Sequence, residues 1–390
     1  MKPAHWIRAL TLSAASAWLA AAQLPERLED SQQIRDEQYQ QLDRYITDLV
    51  QKTDAVRAEH WKGLDFSNVP AYERSAARYR REWSDFLGVP DSGNLPLSPR
   101  REKVAELDTH TAYRVWLDAL PGVQSYGILL VPKNAQGKLP GLVALHGHGG
   151  SSEIVAGFLD PNPPSAYKRF GETAVKRGYV VWCPYIHGRY SEESEPKEGP
   201  QAQGRNILNK KALIAGTTIM GIELAKLRRG LDYLQSLPEV DAQRIGMYGL
   251  SKGGHYTLYA AALDTRIKAA VVSGWFNHRT RKLLAPKVGN GMFWITYPNR
   301  DEYYLRDLLN RFGDAELGWL TAPRALMIEN GDKDGAVLIK DAREEFGRVE
   351  KVYERLGIKE KARFAGFSGP HQIDGAESFP FLDKWLGNTR

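Results

Sequence analysis

Short apolar runs alternate along most of the chain with longer stretches in which apolar residues recur at helical spacing. The runs predict β-strands at residues 113–117, 127–131, 141–145, 179–184, 244–249, 267–273, 324–329 and 362–367. The stretches between them predict helices, most clearly at residues 222–237, 253–263 and 340–356. Strands that alternate with helices indicate an α/β fold with a mostly parallel central sheet and helices on both faces. The short spacing between the first strands allows an antiparallel start.

The N-terminal part of the chain does not follow this pattern. A short basic start, a mostly apolar stretch and three alanines predict a secretory signal peptide over residues 1–22, cleaved near Ala22. Residues 23–95 are polar with helically spaced apolar positions, which predicts a helical N-terminal extension, and residues 96–390 form the predicted catalytic domain. The mature chain is expected to be secreted or periplasmic. No stable membrane insertion is expected after processing, because no later segment has about 18 uninterrupted apolar residues.

Composition narrows the class of protein further. With 390 residues, of which 42% are hydrophobic, the chain can bury a large core. The net charge of +6 is mild and basic residues do not interleave with aromatic ones in a stripe, so no nucleic-acid partner is expected. Two basic clusters in helical segments are interpreted as solvated helix faces: Arg78, Arg80, Arg81 and Lys226, Arg228, Arg229. The single cysteine, Cys183, lies in a strand-like run and is predicted to be a buried thiol.

One motif points to a nucleophile. Gly249-Leu250-Ser251-Lys252-Gly253 has the spacing G-x-S-x-G and lies directly between a predicted strand and a predicted helix. In the α/β-hydrolase fold, these glycines permit the sharp turn that projects a serine hydroxyl from the edge of the sheet. The positive end of the following helix favours an anion that develops there. Ser251 is therefore the predicted nucleophile.

A serine hydroxyl needs a base, and the base needs an acid that orients it. In this fold the chain order is serine, acid, histidine. His371 follows the last predicted strand and is the only histidine after His278, so it is the predicted base. The acid belongs after the preceding strand, where Asp332 and Asp334 are both candidates and Glu329 still belongs to the strand. Asp334 is preferred because it completes a G-x-x-D turn.

The tetrahedral intermediate needs backbone N–H donors, and the HGHGG segment at residues 146–150 stands after a strand, where a glycine-rich oxyanion loop belongs. The amides of Lys252 and His148 form the predicted oxyanion hole, with Gly149 as the substitute for His148. The H-x-H pair could chelate a metal. No cysteine or adjacent carboxylate accompanies it, so no metal and no cofactor are predicted.

An insertion between the nucleophile and the acid is predicted to form a small lid at about residues 276–318. Aromatic walls suit sugar or aryl groups, which makes its aromatic side chains and a neighbouring one candidates for substrate binding. Buried packing is the alternative role for the same residues. The candidates are Trp275, Phe293 and Trp294.

Together these features resemble the dienelactone hydrolase and acetyl xylan esterase branch of the α/β-hydrolases over residues 72–386. The resemblance rests on the HGHGG loop, the GLSKGG turn, Ala322-Pro323-Arg324 before the acid strand and the loop that carries His371. It implies a cofactor-free esterase with Ser251, Asp334 and His371 as its triad, of a kind that often acts on acetylated plant polysaccharide. Glucuronoyl esterases, which are similar in size, carry an arginine after the nucleophile, where this chain has Lys252.

The leading hypothesis is an exported serine carboxylesterase that deacetylates a carbohydrate through an acyl-enzyme, with a small-molecule or carbohydrate ester as substrate. A prolyl-oligopeptidase-like serine peptidase has the same triad order, although no N-terminal stretch of β-propeller length precedes the catalytic residues. A non-catalytic binding protein on a hydrolase scaffold is the third hypothesis. The sequence predicts no oligomeric state.

Overall fold

A computed structural model of the chain describes residues 28–133, 136–159, 166–187, 204–285 and 301–389. The predicted signal peptide, residues 1–22, lies outside the described residues. The chain divides into two compact units, Met1–Lys52 and Thr53–Arg390. In the first unit, the described residues all belong to helix α1, which spans Leu28–His60.

The second unit is built around a sheet whose described strands follow the order β1-β2-β3-β5-β4-β6-β7-β8-β9. The strands are β1 (Arg100–Glu106), β2 (His110–Leu120), β3 (Val123–Pro132), β4 (Leu139–Leu145), β5 (Val180–Pro184), β6 (Val240–Leu250), β7 (Ile267–Ser273), β8 (Ala325–Gly331) and β9 (Ala362–Phe367). The pairs from β1 to β3, and β3 with β5, are antiparallel, and all the other pairs are parallel. The predicted mostly parallel sheet with an antiparallel start is confirmed.

Helices cover both faces of this sheet. They are α2 (Val69–Leu87), α3 (Ser152–Ala156), α4 (Phe170–Lys176), α5 (Gly204–Ile214), α6 (Ile219–Ser236), α7 (Lys252–Leu263), α8 (Arg279–Leu284), α9 (Leu308–Arg311), α10 (Asp314–Thr321), α11 (Ile339–Arg355) and α12 (Ser378–Leu386). Short 3-10 turns stand at Trp61–Gly63, Asp301–Tyr303 and Lys359–Lys361. None of the helices in the described ranges is both long and apolar enough to cross a membrane.

Two hydrophobic cores, one on each face, explain why the central strands are apolar throughout. Side chains alternate between the faces of a strand, so a strand covered on both sides is apolar at every position. In β4, Val143 and Leu145 belong to one core, while Leu142 and Ala144 belong to the other. The first core contains residues of α2, α6, α7, α10 and α11, and the second contains residues of α3, α4 and α12.

Two features differ from the sequence analysis. Strand β1 was not predicted, because it is an exposed edge strand of charged residues with little hydrophobic pattern. The interpretation of the basic clusters as solvated faces is wrong for Arg80, which donates hydrogen bonds to the Ala262 and Leu320 carbonyl oxygens at 3.0 and 2.6 Å. It is also wrong for Lys226, which is buried against Glu223 at 2.9 Å. Each of these two cations has a carbonyl or carboxylate partner, which offsets the cost of removing it from water.

Candidate active site

Ser251 lies in the turn between β6 and α7. Its backbone has φ 60° and ψ −121°, a conformation that residues other than glycine rarely adopt. Its N–H donates to the Ser273 carbonyl oxygen of β7 at 2.8 Å, and its carbonyl oxygen accepts from the His255 N–H of α7 at 2.9 Å. The strained residue is therefore fixed on one side by the sheet and on the other by the first turn of the helix.

The glycines around Ser251 are required by close backbone contacts. A Cβ at Gly249 would overlap the Gly253 carbonyl group, and a Cβ at Gly253 would overlap the Leu145 carbonyl oxygen at the end of β4. A Cβ at Gly254 would lie 2.5 Å from the Ser273 carbonyl oxygen. Because no side chain stands between them, the start of α7 is pressed against the ends of three strands, which is the geometry of a nucleophile turn.

The predicted base and acid lie together. His371 Nδ1 is 2.8 Å from Asp334 Oδ2, and the side chains are 30% and 1% exposed. The carboxylate accepts the ring proton, which fixes the tautomer with hydrogen on Nδ1 and leaves Nε2 as the basic nitrogen. The other candidate acid, Asp332, accepts a hydrogen bond from the Gly369 N–H at 2.9 Å and so stabilises the loop that carries the histidine.

The structure brings His371 to the same edge of the sheet as Ser251. Gly274 directly follows Ser273, whose carbonyl oxygen holds the Ser251 N–H. A Cβ on Gly274 would lie 2.8 Å from His371 Cε1 and 3.0 Å from Leu250 Cδ1. The imidazole therefore packs on the backbone at the end of β7, the strand next to the one that ends at the serine.

The HGHGG segment lies directly against this turn. A Cβ on Gly147 would be 2.9 Å from Ser251 Cβ and 3.2 Å from the Lys252 nitrogen, so only glycine allows the approach. The Tyr167 hydroxyl holds the segment, because it accepts from the Gly147 N–H at 2.9 Å and donates to the His148 carbonyl oxygen at 3.2 Å. Gly149 follows with φ 70°. The residues predicted for the oxyanion hole thus come from two segments in contact.

His146 anchors the start of the segment and is not placed to bind a metal. Its Nε2 accepts the Ile186 N–H at 3.1 Å, so Nδ1 carries the hydrogen and donates to the Gly147 carbonyl oxygen at 2.8 Å. Complete burial lowers the pKa of this imidazole to about 4, which keeps it neutral. Within the described ranges, no group of three histidine, cysteine or acidic side chains is placed to hold a metal.

Lys252 has a second feature that the sequence did not indicate. Its side chain is buried and its Nζ lies 3.1 Å from Glu302 Oε1, on a side chain that is also buried. Glu302 belongs to the insertion between β7 and β8, so the ion pair joins that insertion to the first residue of α7. The sequence could not show this pair, because the two residues are 50 positions apart.

The aromatic residues predicted to bind substrate are only partly described. Trp275 is buried and its ring stacks on His255, with centroids 4.1 Å apart and planes at 18°. This contact corresponds to the packing alternative for that residue. Phe293 and Trp294 lie outside the described residues.

Comparisons with known proteins agree with this architecture. The sequence model of the Dienelactone hydrolase family matches residues 126–311. A protein of Bacillus subtilis (strain 168) assigned as the hydrolase YtaP is 24% identical over 320 residues, which are 80% of this chain and 99% of that protein.

Two solved structures share the fold. A protein of Bacteroides fragilis NCTC 9343, assigned as an acetyl xylan esterase, has a TM-score of 0.62 and 19% identity over 84% of this chain and 88% of its own. A glucuronoyl esterase from Solibacter usitatus has a TM-score of 0.56 and 17% identity over 84% of this chain and 95% of its own. The chain therefore has the α/β-hydrolase fold, and its predicted resemblance to the dienelactone hydrolase and acetyl xylan esterase branch is confirmed.

Proposed function

We propose that this chain is an exported serine carboxylesterase that hydrolyses a carbohydrate ester through an acyl-enzyme on Ser251. The observation that carries the proposal is the 2.8 Å contact of His371 with Asp334 at the sheet edge where the strained Ser251 stands. The dienelactone hydrolase match and the esterase neighbours support the carboxylic ester hydrolase class.

In the proposed reaction, His371 acts as the general base. Because Asp334 accepts the proton on Nδ1, the ring takes the hydroxyl proton of Ser251 at Nε2 as Oγ attacks the ester carbonyl carbon. The imidazolium that forms is stabilised by the buried carboxylate of Asp334.

The negative charge on the former carbonyl oxygen is received by backbone amides. We assign the N–H groups of Lys252 and His148 to this role, with Gly149 as the substitute, because Gly147 brings this segment against the Ser251 turn. Collapse breaks the bond to the alcohol, which takes its proton from His371. Water, deprotonated by the same ring, then hydrolyses the acyl-enzyme and releases the acid.

The proposed substrate is an acetylated carbohydrate. Support comes from the fold neighbours, one assigned as an acetyl xylan esterase and another named as a glucuronoyl esterase. Between these two chemistries, Lys252 favours the acetyl ester, because glucuronoyl esterases carry an arginine after the nucleophile and this chain has a lysine there.

A substrate panel tests the proposal. Purified protein is assayed with p-nitrophenyl esters of rising acyl length, acetylated xylan, methyl glucuronate esters and peptidyl amides, beside Ser251→Ala. We expect fastest turnover of acetyl esters, release of acetate from xylan and loss of activity in the variant. Retained acetate release by Ser251→Ala contradicts the mechanism, and faster turnover of amides than of esters identifies a peptidase instead.

We also propose export by a cleaved signal peptide, on the basis of the basic, apolar and alanine-rich segments of residues 1–22. N-terminal sequencing of the protein recovered from the cell envelope or medium should begin at Gln23. A chain recovered with its first residues intact contradicts the proposal.

A further inference from the structure

Glu329 is a buried carboxylate near the end of β8 that no step of the proposed reaction uses. It accepts hydrogen bonds from five groups. Oε1 accepts from the Tyr248 hydroxyl at 2.8 Å, the Ser273 hydroxyl at 2.8 Å and the Asp374 N–H at 3.2 Å. Oε2 accepts from the Gly375 N–H at 2.9 Å and the Ser378 hydroxyl at 2.6 Å.

These donors come from two parts of the proposed site: the strands beside Ser251 and the loop that follows His371. Tyr248 is three residues before Ser251 on β6, and the Ser273 carbonyl oxygen holds the Ser251 N–H at 2.8 Å. The other donors, residues 374–378, follow His371 directly and lead into α12. One carboxylate therefore joins the strands beside the serine to the loop of the histidine.

The groups around the Glu329 carboxylate donate hydrogen bonds to it. Burial and the charge of Glu329 raise the pKa of the Tyr248 phenol well above its usual value, so the phenol stays a donor. In the described part of the chain, hydroxyl and amide groups hydrogen-bond to Glu329, and no lysine or arginine does. Five donors from the strands and the loop converge on this one side chain, so its removal would leave buried polar groups unpaired on both sides of the proposed site.

The histidine loop is held from both sides by acids of one segment. Asp332 binds the Gly369 N–H before His371, Asp334 binds the ring itself, and Glu329 binds the loop after it. The backbone of Glu329 contributes as well, because its carbonyl oxygen accepts from the Gly274 N–H at 3.0 Å, and the imidazole packs on Gly274.

We propose that Glu329 is a positioning residue, whose carboxylate fixes residues 371–378 against β6 and β7 and so sets where the His371 ring meets Ser251. The proposal rests on the function proposed above. Glu329 touches no reacting atom and acts only through the loop it holds.

Glu329→Gln tests this role at nearly constant size. A carboxamide has one acceptor oxygen and one donor NH2. The hydroxyl groups can rotate and accept from that NH2, but a backbone N–H can only donate. The Asp374 N–H faces one carboxylate oxygen and the Gly375 N–H faces the other, so in either orientation of the amide its NH2 opposes a backbone N–H. The loop must shift, and a displacement of about 1 Å lowers catalysis on the order of 10²-fold.

The readouts separate positioning from stability. At equal folded fraction, we expect Glu329→Gln to lower kcat for p-nitrophenyl acetate on the order of 10²-fold with KM unchanged, and to slow fluorophosphonate labelling of Ser251 equally. The far-downfield proton signal of the His371–Asp334 hydrogen bond should shift or broaden. Glu316→Gln is the matched control: Glu316 is also buried and accepts from the Gly313 N–H at 3.0 Å, but it pairs with Arg57 and lies on α10.

The outcomes are distinct. Wild-type kcat and proton signal in folded Glu329→Gln overturn the positioning role. A wild-type protein that does not label refutes the proposed function, while the proton signal still reports whether Glu329 positions the ring. If Glu329→Gln does not fold, Tyr248→Phe and Ser378→Ala each remove one donor to the carboxylate, and each should lower kcat with KM unchanged. Unchanged kcat in both also overturns the role.

Discussion

Asp334 and Asp332 stand two residues apart in one turn: the Asp334 carboxylate hydrogen-bonds to His371, and the Asp332 carboxylate accepts from the Gly369 N–H. The change Asp334→Asn keeps the shape of the side chain and removes its charge. The Asp334 side chain is 1% exposed, so water cannot replace the lost carboxylate. An asparagine amide that donates to His371 Nδ1 also selects the wrong tautomer of the ring. In serine hydrolases, the corresponding change lowers kcat roughly 10⁴-fold, or about 5.5 kcal/mol at 1.36 kcal/mol per decade.

Asp332→Asn is the matched control. The amide oxygen of asparagine can still accept the hydrogen bond that the Asp332 carboxylate accepts from the Gly369 N–H, so the change should cost at most about 0.5–1.5 kcal/mol of stability and leave kcat nearly unchanged. Initial rates with p-nitrophenyl acetate, scaled to the folded fraction from circular dichroism, give both values. A larger loss of kcat in Asp332→Asn than in Asp334→Asn would refute the assignment of the acid.

Three further perturbations test the surroundings of the site. Burial lowers the pKa of His146 from 6.5 to about 4, so the unfolded chain binds a proton at this residue before the folded chain does as the pH falls. The free energy of unfolding, measured in urea, should therefore decrease by about 3 kcal/mol between pH 6.5 and 4 because of this residue. In His146→Asn, this decrease in the free energy of unfolding should be smaller. An equal decrease in the wild type and the variant contradicts the lowered pKa of His146. Gly253→Ala should destabilise the fold by about 1–3 kcal/mol and lower kcat, because the added Cβ overlaps a carbonyl oxygen of β4. Gly347→Ala in α11 is the control, because its Cβ meets open space and should stabilise the helix by about 0.5–1 kcal/mol. A higher thermal unfolding temperature for Gly253→Ala than for Gly347→Ala refutes this prediction. Lys252→Met leaves the Glu302 carboxylate without its 3.1 Å partner and should cost about 3–5 kcal/mol in urea unfolding, and an unchanged midpoint contradicts the buried ion pair.

The positions of most strands along the chain, and the turns after them that carry candidate catalytic residues, could be predicted from the sequence because their signals are local. The runs at 267–273 and 362–367 coincide with β7 and β9, since buried strands are apolar at successive positions and end in polar turns. The motif around Ser251 was readable for the same reason, because strand, turn and helix follow one another directly.

What the sequence could not show depends on contacts between distant residues. Glu329 was assigned to a strand, but its partners Tyr248 and Ser378 lie 81 and 49 positions away. Lys226 looked like part of a solvated face, because helical spacing does not reveal what packs on each side of a helix. Contacts of this kind are decided by the arrangement of elements in three dimensions, not by spacing along the chain.

The central claim is that Ser251 is an activated nucleophile in the folded protein. The most direct measurement is peptide mapping by mass spectrometry after brief exposure to a fluorophosphonate. We expect a single adduct on the peptide that contains Ser251, lost when the protein is first unfolded in urea and absent in Ser251→Ala. No adduct in the folded wild-type protein, or an adduct on another serine that persists in Ser251→Ala, would contradict the account.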